Sequence, residues 1–181
     1  MEKEESTDRP HVPQYAVLVL QHPQEAKKNL GTARILSQSL VNCRLRTGLS
    51  WPNLQRAWGS PTHSRDWVVL YVGGRREGGE LGSEEPSFKE VKGMVLLDGN
   101  WKQSKTLWWR NPWLLKLRRL VMNPSAPSQY TRRQPRKNCF STMEAAVCAF
   151  ERLGDDETAR FLHTKFQNFM TSVGDNLLEP H

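Results

Sequence analysis

Two short stretches hold the residues best suited to chemistry. In "MVLLDGNWKQSK", Met94 to Lys105, an apolar run ends on Asp98, Gly99, Asn100 and Trp101, and a basic segment with Lys102 and Lys105 follows. A carboxylate at the C-terminal end of a buried strand stands where open α/β sheets bind ligands, and burial there suits a general base. An Asp-Gly turn explains Asp98 and Gly99 equally well, so these residues alone do not decide. Trp101 is suited to stacking on a base or a purine ring, or simply to packing. In "STME", Ser141 to Glu144, the spacing is that of a capping box, with Ser141 and Glu144 bonding each other's backbone N–H. The same helix start offers N–H groups and the positive end of a dipole to a carboxylate or phosphate. His22 in "QHPQE" also follows a strand, but a single loop histidine is usually neither metal ligand nor catalyst.

These residues need a scaffold, and its pattern is legible. "YAVLVLQH" (Tyr15 to His22), "WVVLYVGG" (Trp67 to Gly74), "GMVLLDG" (Gly93 to Gly99) and "RRLVMN" (Arg118 to Asn123) are apolar runs of strand length. The lack of alternation predicts strands buried on both faces. Helical patterns separate them. Ala33 to Cys43 places Ile35, Leu36, Leu40 and Cys43 on one stripe, and "NPWLLKL" has Asn111 as an N-cap with Pro112 at the first helical position. Trp108, Trp109 and Trp113 are assigned to the core. Two C-terminal helices are expected, from Thr142 to about Leu153 and from about Asp156 to Met170, with Gly154 as the C-cap between them. Strands alternating with helices predict an α/β domain with a mostly parallel central sheet flanked by helices. Its expected extent is 14–172, with a flexible arm over 1–13 and a tail over 173–181.

Composition narrows the partners. The 181 residues suffice for one domain with a proper core. No apolar run approaches the roughly 20 residues that span a bilayer, and "MEKEESTDRP" lacks the apolar centre of a secretory signal. The three cysteines, Cys43, Cys139 and Cys148, form no CxxC pair, which favours reduced thiols in the cytoplasm and no metal. The net charge of +7 is localised: from Gly99 to Met143 there is no Asp or Glu, while ten of the 26 Lys/Arg lie there. The remaining sixteen face all nineteen acids. A segmental positive charge interleaved with aromatics points to a nucleic acid more than to a merely solvated surface.

Taken in order, "QHPQEAKKNLGTARIL", "VVLYV", "LLDGNWKQSK", "NPWL", "SQYTRRQP" and "STMEAA" resemble the DTW-domain family over about Tyr15 to Phe169. Its members are tRNA-uridine aminocarboxypropyltransferases related to the SPOUT class. The resemblance implies a SPOUT-like fold with a C-terminal trefoil knot. It implies S-adenosylmethionine as donor of its 3-amino-3-carboxypropyl group, N3 of a tRNA uridine as acceptor, and methylthioadenosine as the other product. Asp98, Trp101 and Tyr130 are then the expected catalytic group. Leu70, Tyr71, Val72, Gly73, Leu97, Asp98 and Gly99 are expected in loops around the adenosine. Ser141 and Thr142 are expected at the methionyl carboxylate, and Glu144 is expected to bind the cofactor. Lys102, Lys105, Arg132, Arg133, Arg136 and Lys137 are expected on RNA phosphates. The chain departs from the family in having no cysteine before "QHP", so a zinc module is not carried over, and in having Val72-Gly73 where the family tends to have a proline. The rival readings are a SPOUT-type RNA methyltransferase and a non-catalytic RNA-binding protein of the same fold.

Overall fold

The computed structural model describes residues 9–28, 31–72, 90–122 and 141–178. Five strands form one sheet: β1 (Ala16–Gln21), β2 (Cys43–Thr47), β3 (Trp67–Val72), β4 (Gly93–Asp98) and β5 (Arg118–Met122). The order is β2-β1-β4-β3-β5 and every pairing is parallel. The helices are α1 (Pro23–Ala26), α2 (Thr32–Ser39), α3 (Leu54–Trp58), α4 (Trp101–Arg110), α5 (Thr142–Leu153) and α6 (Asp156–Leu178). Short 3₁₀ turns cover Ser64–Asp66 and Pro112–Lys116.

The unbroken apolar runs have the expected cause. Val17, Leu18, Val19 and Leu20 are all fully buried, because successive side chains of β1 enter different cores. Val17 and Val19 join Val68, Leu70, Met94 and Leu96 under α2, α5 and α6. Leu18 and Leu20 join Trp67, Val69, Val95, Leu54 of α3 and Leu114 of the second 3₁₀ turn on the opposite face. Burying each such side chain stabilises the fold by about 1.5–3 kcal/mol. This two-sided burial confirms an α/β domain with a fully parallel sheet flanked by helices. The knot depends on the course of the chain through 123–140, outside the described residues.

Several elements differ from expectation. β2 is a fifth strand, running through residues 43–47 where the helix over 33–43 was expected to finish. It is an edge strand in which Cys43 and Leu45 pack on the core, while Arg44 and Arg46 donate to carbonyls at the end of α3. Asn111 does not cap the following turn with its side chain. Fully buried, it instead donates to Leu107 O and Leu49 O and accepts from Trp51 N, tying the loop after β2 to α4. Trp113 is buried and Trp108 packs partly against the second core, but Trp109 is 69% exposed and belongs to no core. At the N-terminus His11 makes ladder bonds with Ser39 and Val41, so the chain is tied to the domain there, inside the stretch expected to be a loose arm. α6 continues to Leu178, through Gly174, because one glycine costs a helix only about 1 kcal/mol. Gly154 does cap α5, at φ 85°, a conformation that favours glycine.

Candidate active site at the ends of β1 and β4

β1 and β4 are neighbours whose last residues, Gln21 and Asp98, are register partners. From β1 the chain passes to α2 on the face of the first core, then to β2. From β4 it passes to α4 and the 3₁₀ turn on the opposite face, then to β5. Two neighbouring strands whose connections leave to opposite faces open a crevice at their C-terminal ends. Asp98 and Gln21 stand at that crevice.

Asp98 is nearly buried, and both its oxygens accept hydrogen bonds. Oδ2 takes the Gln21 amide at 2.9 Å and Oδ1 takes the Thr142 hydroxyl at 2.5 Å. The Asp98 backbone carbonyl accepts from His22 N at 3.0 Å. The Thr47 hydroxyl donates to Gln21 Oε1 at 2.9 Å. The Gln21 amide nitrogen faces Asp98 and its oxygen faces Thr47, so one side chain links the two. Side chains from β2, β1, β4 and α5 thus form one polar row on one face of the sheet. Period-two alternation explains it: Thr47, Gln21 and Asp98 follow Leu45, Val19 and Leu96, which point to the same core.

The "DGNW" sequence also acquires a local explanation. Asp98 is the last strand residue, and Asn100 caps α4 through a reciprocal capping box with Gln103. Gly99 lies between them, where an added Cβ would come within 2.7 Å of Gln103 Cβ. The close approach of the α4 cap requires a glycine here. Trp101 is the first residue of α4 and half-exposed.

The start of α5 is held in the same economical way. Ser141 and Glu144 form the expected capping box, with Glu144 N donating to Ser141 Oγ at 3.2 Å. Met143 N donates to the buried Thr32 hydroxyl at 3.2 Å. Two first-turn amides and both hydroxyls, of Ser141 and Thr142, are therefore already engaged within the protein.

The proposed adenosine loops are also partly strand. Leu70, Tyr71 and Val72 pair with Leu120, Val121 and Met122 inside β3 and β5. Leu97 lies within β4 and packs toward the second core, on the face opposite Asp98. Lys102 and Lys105 are exposed on α4. Gly73, Tyr130, Arg132, Arg133, Arg136 and Lys137 lie outside the described residues. Gln21, Thr47 and Thr32 were not anticipated. A polar residue ending an apolar run, the signal that marked Asp98, was also present at Gln21.

Burial pushes the Cys43 thiol up to about 12, and burial with the nearby Glu151 and Glu144 carboxylates raises that of Cys148, which disfavours the thiolate at both. Among the described residues, no group of three or more His, Cys, Asp or Glu could hold a metal ion. Nor is any described helix long and apolar enough to cross a membrane.

A fully parallel sheet flanked by helices, with a polar row at its switch point, places the chain in the class of open α/β domains. Within that class the chain belongs to the DTW domain family, whose model matches residues 5–174. It is 33% identical over 150 residues to a tRNA-uridine aminocarboxypropyltransferase 2 of Drosophila melanogaster, covering 76% of this chain and 57% of that protein. To the protein of the same name from Mus musculus it is 28% identical over 137 residues, covering 72% of this chain and 45% of the relative. The chain spans about half the length of these relatives. No solved structure matches it significantly.

Proposed function

We propose that this chain transfers the 3-amino-3-carboxypropyl group of S-adenosylmethionine to N3 of a uridine in tRNA. The observation that carries the reading is the Asp98 carboxylate, held at the switch point by Gln21 and Thr142 in a chain of the DTW family. The names of the relatives supply the reaction class.

The donor set suits this co-substrate. S-adenosylmethionine supplies an activated carbon next to a positive sulfonium, and a carboxylate close by is electrostatically matched to that charge. In the reaction an N–C bond forms at uridine N3 as the C–S bond breaks, methylthioadenosine leaves, and the N3 proton passes to a base. Asp98 is the group proposed to take or orient that proton. Its two neutral donors, Gln21 and Thr142, hold it in one rotamer, which is what positioning against a uridine requires. Trp101, half-exposed beside the crevice, is proposed to stack on the uridine, and Tyr130 to complete the catalytic group. Backbone at Leu70 to Gly73 and Leu97 to Gly99, with Ser141, Thr142 and Glu144, is proposed to border the donor. Arg132, Arg133, Arg136 and Lys137, with Lys102 and Lys105, are proposed to hold phosphates.

Incubation of the chain with tRNA and S-adenosylmethionine, followed by mass spectrometry of the nucleosides, tests the reading. A uridine heavier by the aminocarboxypropyl group, with methylthioadenosine released, is expected. Methylated uridine with S-adenosylhomocysteine would replace it with the methyltransferase reading. No modification would leave RNA binding alone.

A further inference from the structure

α4 leaves the site at Asn100 and carries an outward face that the core does not explain. Trp101, Lys105 and Trp109 sit at i, i+4 and i+8 on this helix, so they form one ridge along its surface. All three are exposed, Trp101 by 50% and Trp109 by 69%. The buried face of the same helix is made by Gln103 and Leu107 instead. A tryptophan left that open forgoes the large burial that aromatic side chains otherwise contribute. The ridge starts three residues after Asp98 and runs about 12 Å along the axis, the length of roughly three to four stacked bases.

The charge beside it selects the occupant. Lys102 and Lys105 are exposed on α4, and no Asp or Glu occurs between Gly99 and Met143. Lysine is depleted in protein–protein interfaces, whereas phosphates need it. Aromatic faces alternating with cations are what single-stranded nucleic acid binds, with bases on the rings and phosphates on the amines. We propose that the Trp101–Lys105–Trp109 ridge is the track for an unpaired stretch of the RNA substrate. A base stacks on Trp109 and a phosphate lies at Lys105, guiding the target uridine toward Asp98. The inference rests on the tRNA-modifying reading and adds to it a route and a stacking residue outside the site.

The test measures binding of labelled octauridine and of bulk tRNA to the full chain and to Trp109→Ala, Trp109→Phe and Lys105→Ala. Melting curves confirm that each variant is folded. Trp109→Ala is expected to weaken octauridine binding about 5- to 150-fold, with Trp109→Phe recovering most of the loss. Lys105→Ala is expected to lower the salt slope by about 0.7. A folded Trp109→Ala variant that binds both RNAs like the wild type overturns the proposal. So does loss of binding to phosphatidylserine vesicles, or of self-association, with RNA binding unmoved. Nucleoside analysis separates the two readings. Wild-type chain that modifies uridine while Trp109→Ala leaves octauridine binding unchanged removes the ridge alone. Lost octauridine binding in Trp109→Ala, with no transfer by the wild type, keeps the ridge and removes the transferase reading.

Discussion

Asp98 and Asp155 are both buried carboxylates that accept from a threonine hydroxyl, yet the fold uses them differently. Asp155, 1% exposed, caps the start of α6. It accepts from Thr158 N at 3.2 Å, Thr158 Oγ1 at 2.7 Å and Gln14 N at 2.9 Å. The Thr158 hydroxyl, having given its proton to Asp155, accepts from His11 Nε2 at 2.9 Å, and the His11 ring stacks on Phe161. These contacts clasp the chain before β1 onto α6. Most are local or made by backbone, as a helix cap requires. Asp98 instead meets two side chains, 77 and 44 residues away in sequence, at the ends of two other elements. Burial and a threonine partner therefore do not tell the two carboxylates apart. What separates the two is position: Asp98 stands at the switch point with side-chain partners from other elements, whereas Asp155 stands at a helix start with backbone amides among its partners.

The comparison can be broken most directly by removing the two carboxylates. Asp98→Ala is expected to slow transfer about 10²- to 10⁴-fold with a much smaller loss of affinity for S-adenosylmethionine, as a base or orienting group would. Steady-state kinetics and calorimetric titration check this, and near wild-type turnover would reduce Asp98 to a turn residue. Asp155→Ala should do the opposite. It removes a cap and leaves the Gln14 N–H and the Thr158 hydroxyl short of a partner, for a loss of about 2–4 kcal/mol. The melting temperature should then fall roughly 5–15 °C, with turnover per folded molecule unchanged. A stability loss as large in Asp98→Ala would erase the distinction.

Smaller substitutions sharpen it. Gln21→Ala keeps the Asp98 carboxylate but frees its rotamer, and is expected to lower kcat about 10- to 100-fold with little change in KM for tRNA. Equal losses in kcat and in melting temperature would make Gln21 a structural residue only. His11→Ala is the matched change at the other pole. It should cost about 1 kcal/mol of stability, read by urea denaturation, and leave kcat alone.

How much of this was legible beforehand depended on how local the cause was. Both caps of α5, the Ser141–Glu144 box and Gly154, were visible because a cap is set within four residues. β2 was missed because "CRLRT" is a short edge strand whose alternation continued a helical stripe, and only pairing with β1 decided between them. Residue type alone puts Trp109 in the core, yet it is exposed. Which face of α4 meets the protein was set by Gln103 and Leu107 instead.

By itself the sequence determined the two-sided apolar strands, both ends of α5, the acid-free basic segment and Asp98 as a candidate, since period, capping and charge are properties of neighbouring residues. Tertiary structure alone decided that Gln21, Thr47 and Thr142 would meet Asp98. Parallel pairing brings strand ends together from positions far apart in the chain, and the opposite exits of β1 and β4 open the crevice there. No local pattern encodes which strands will be neighbours.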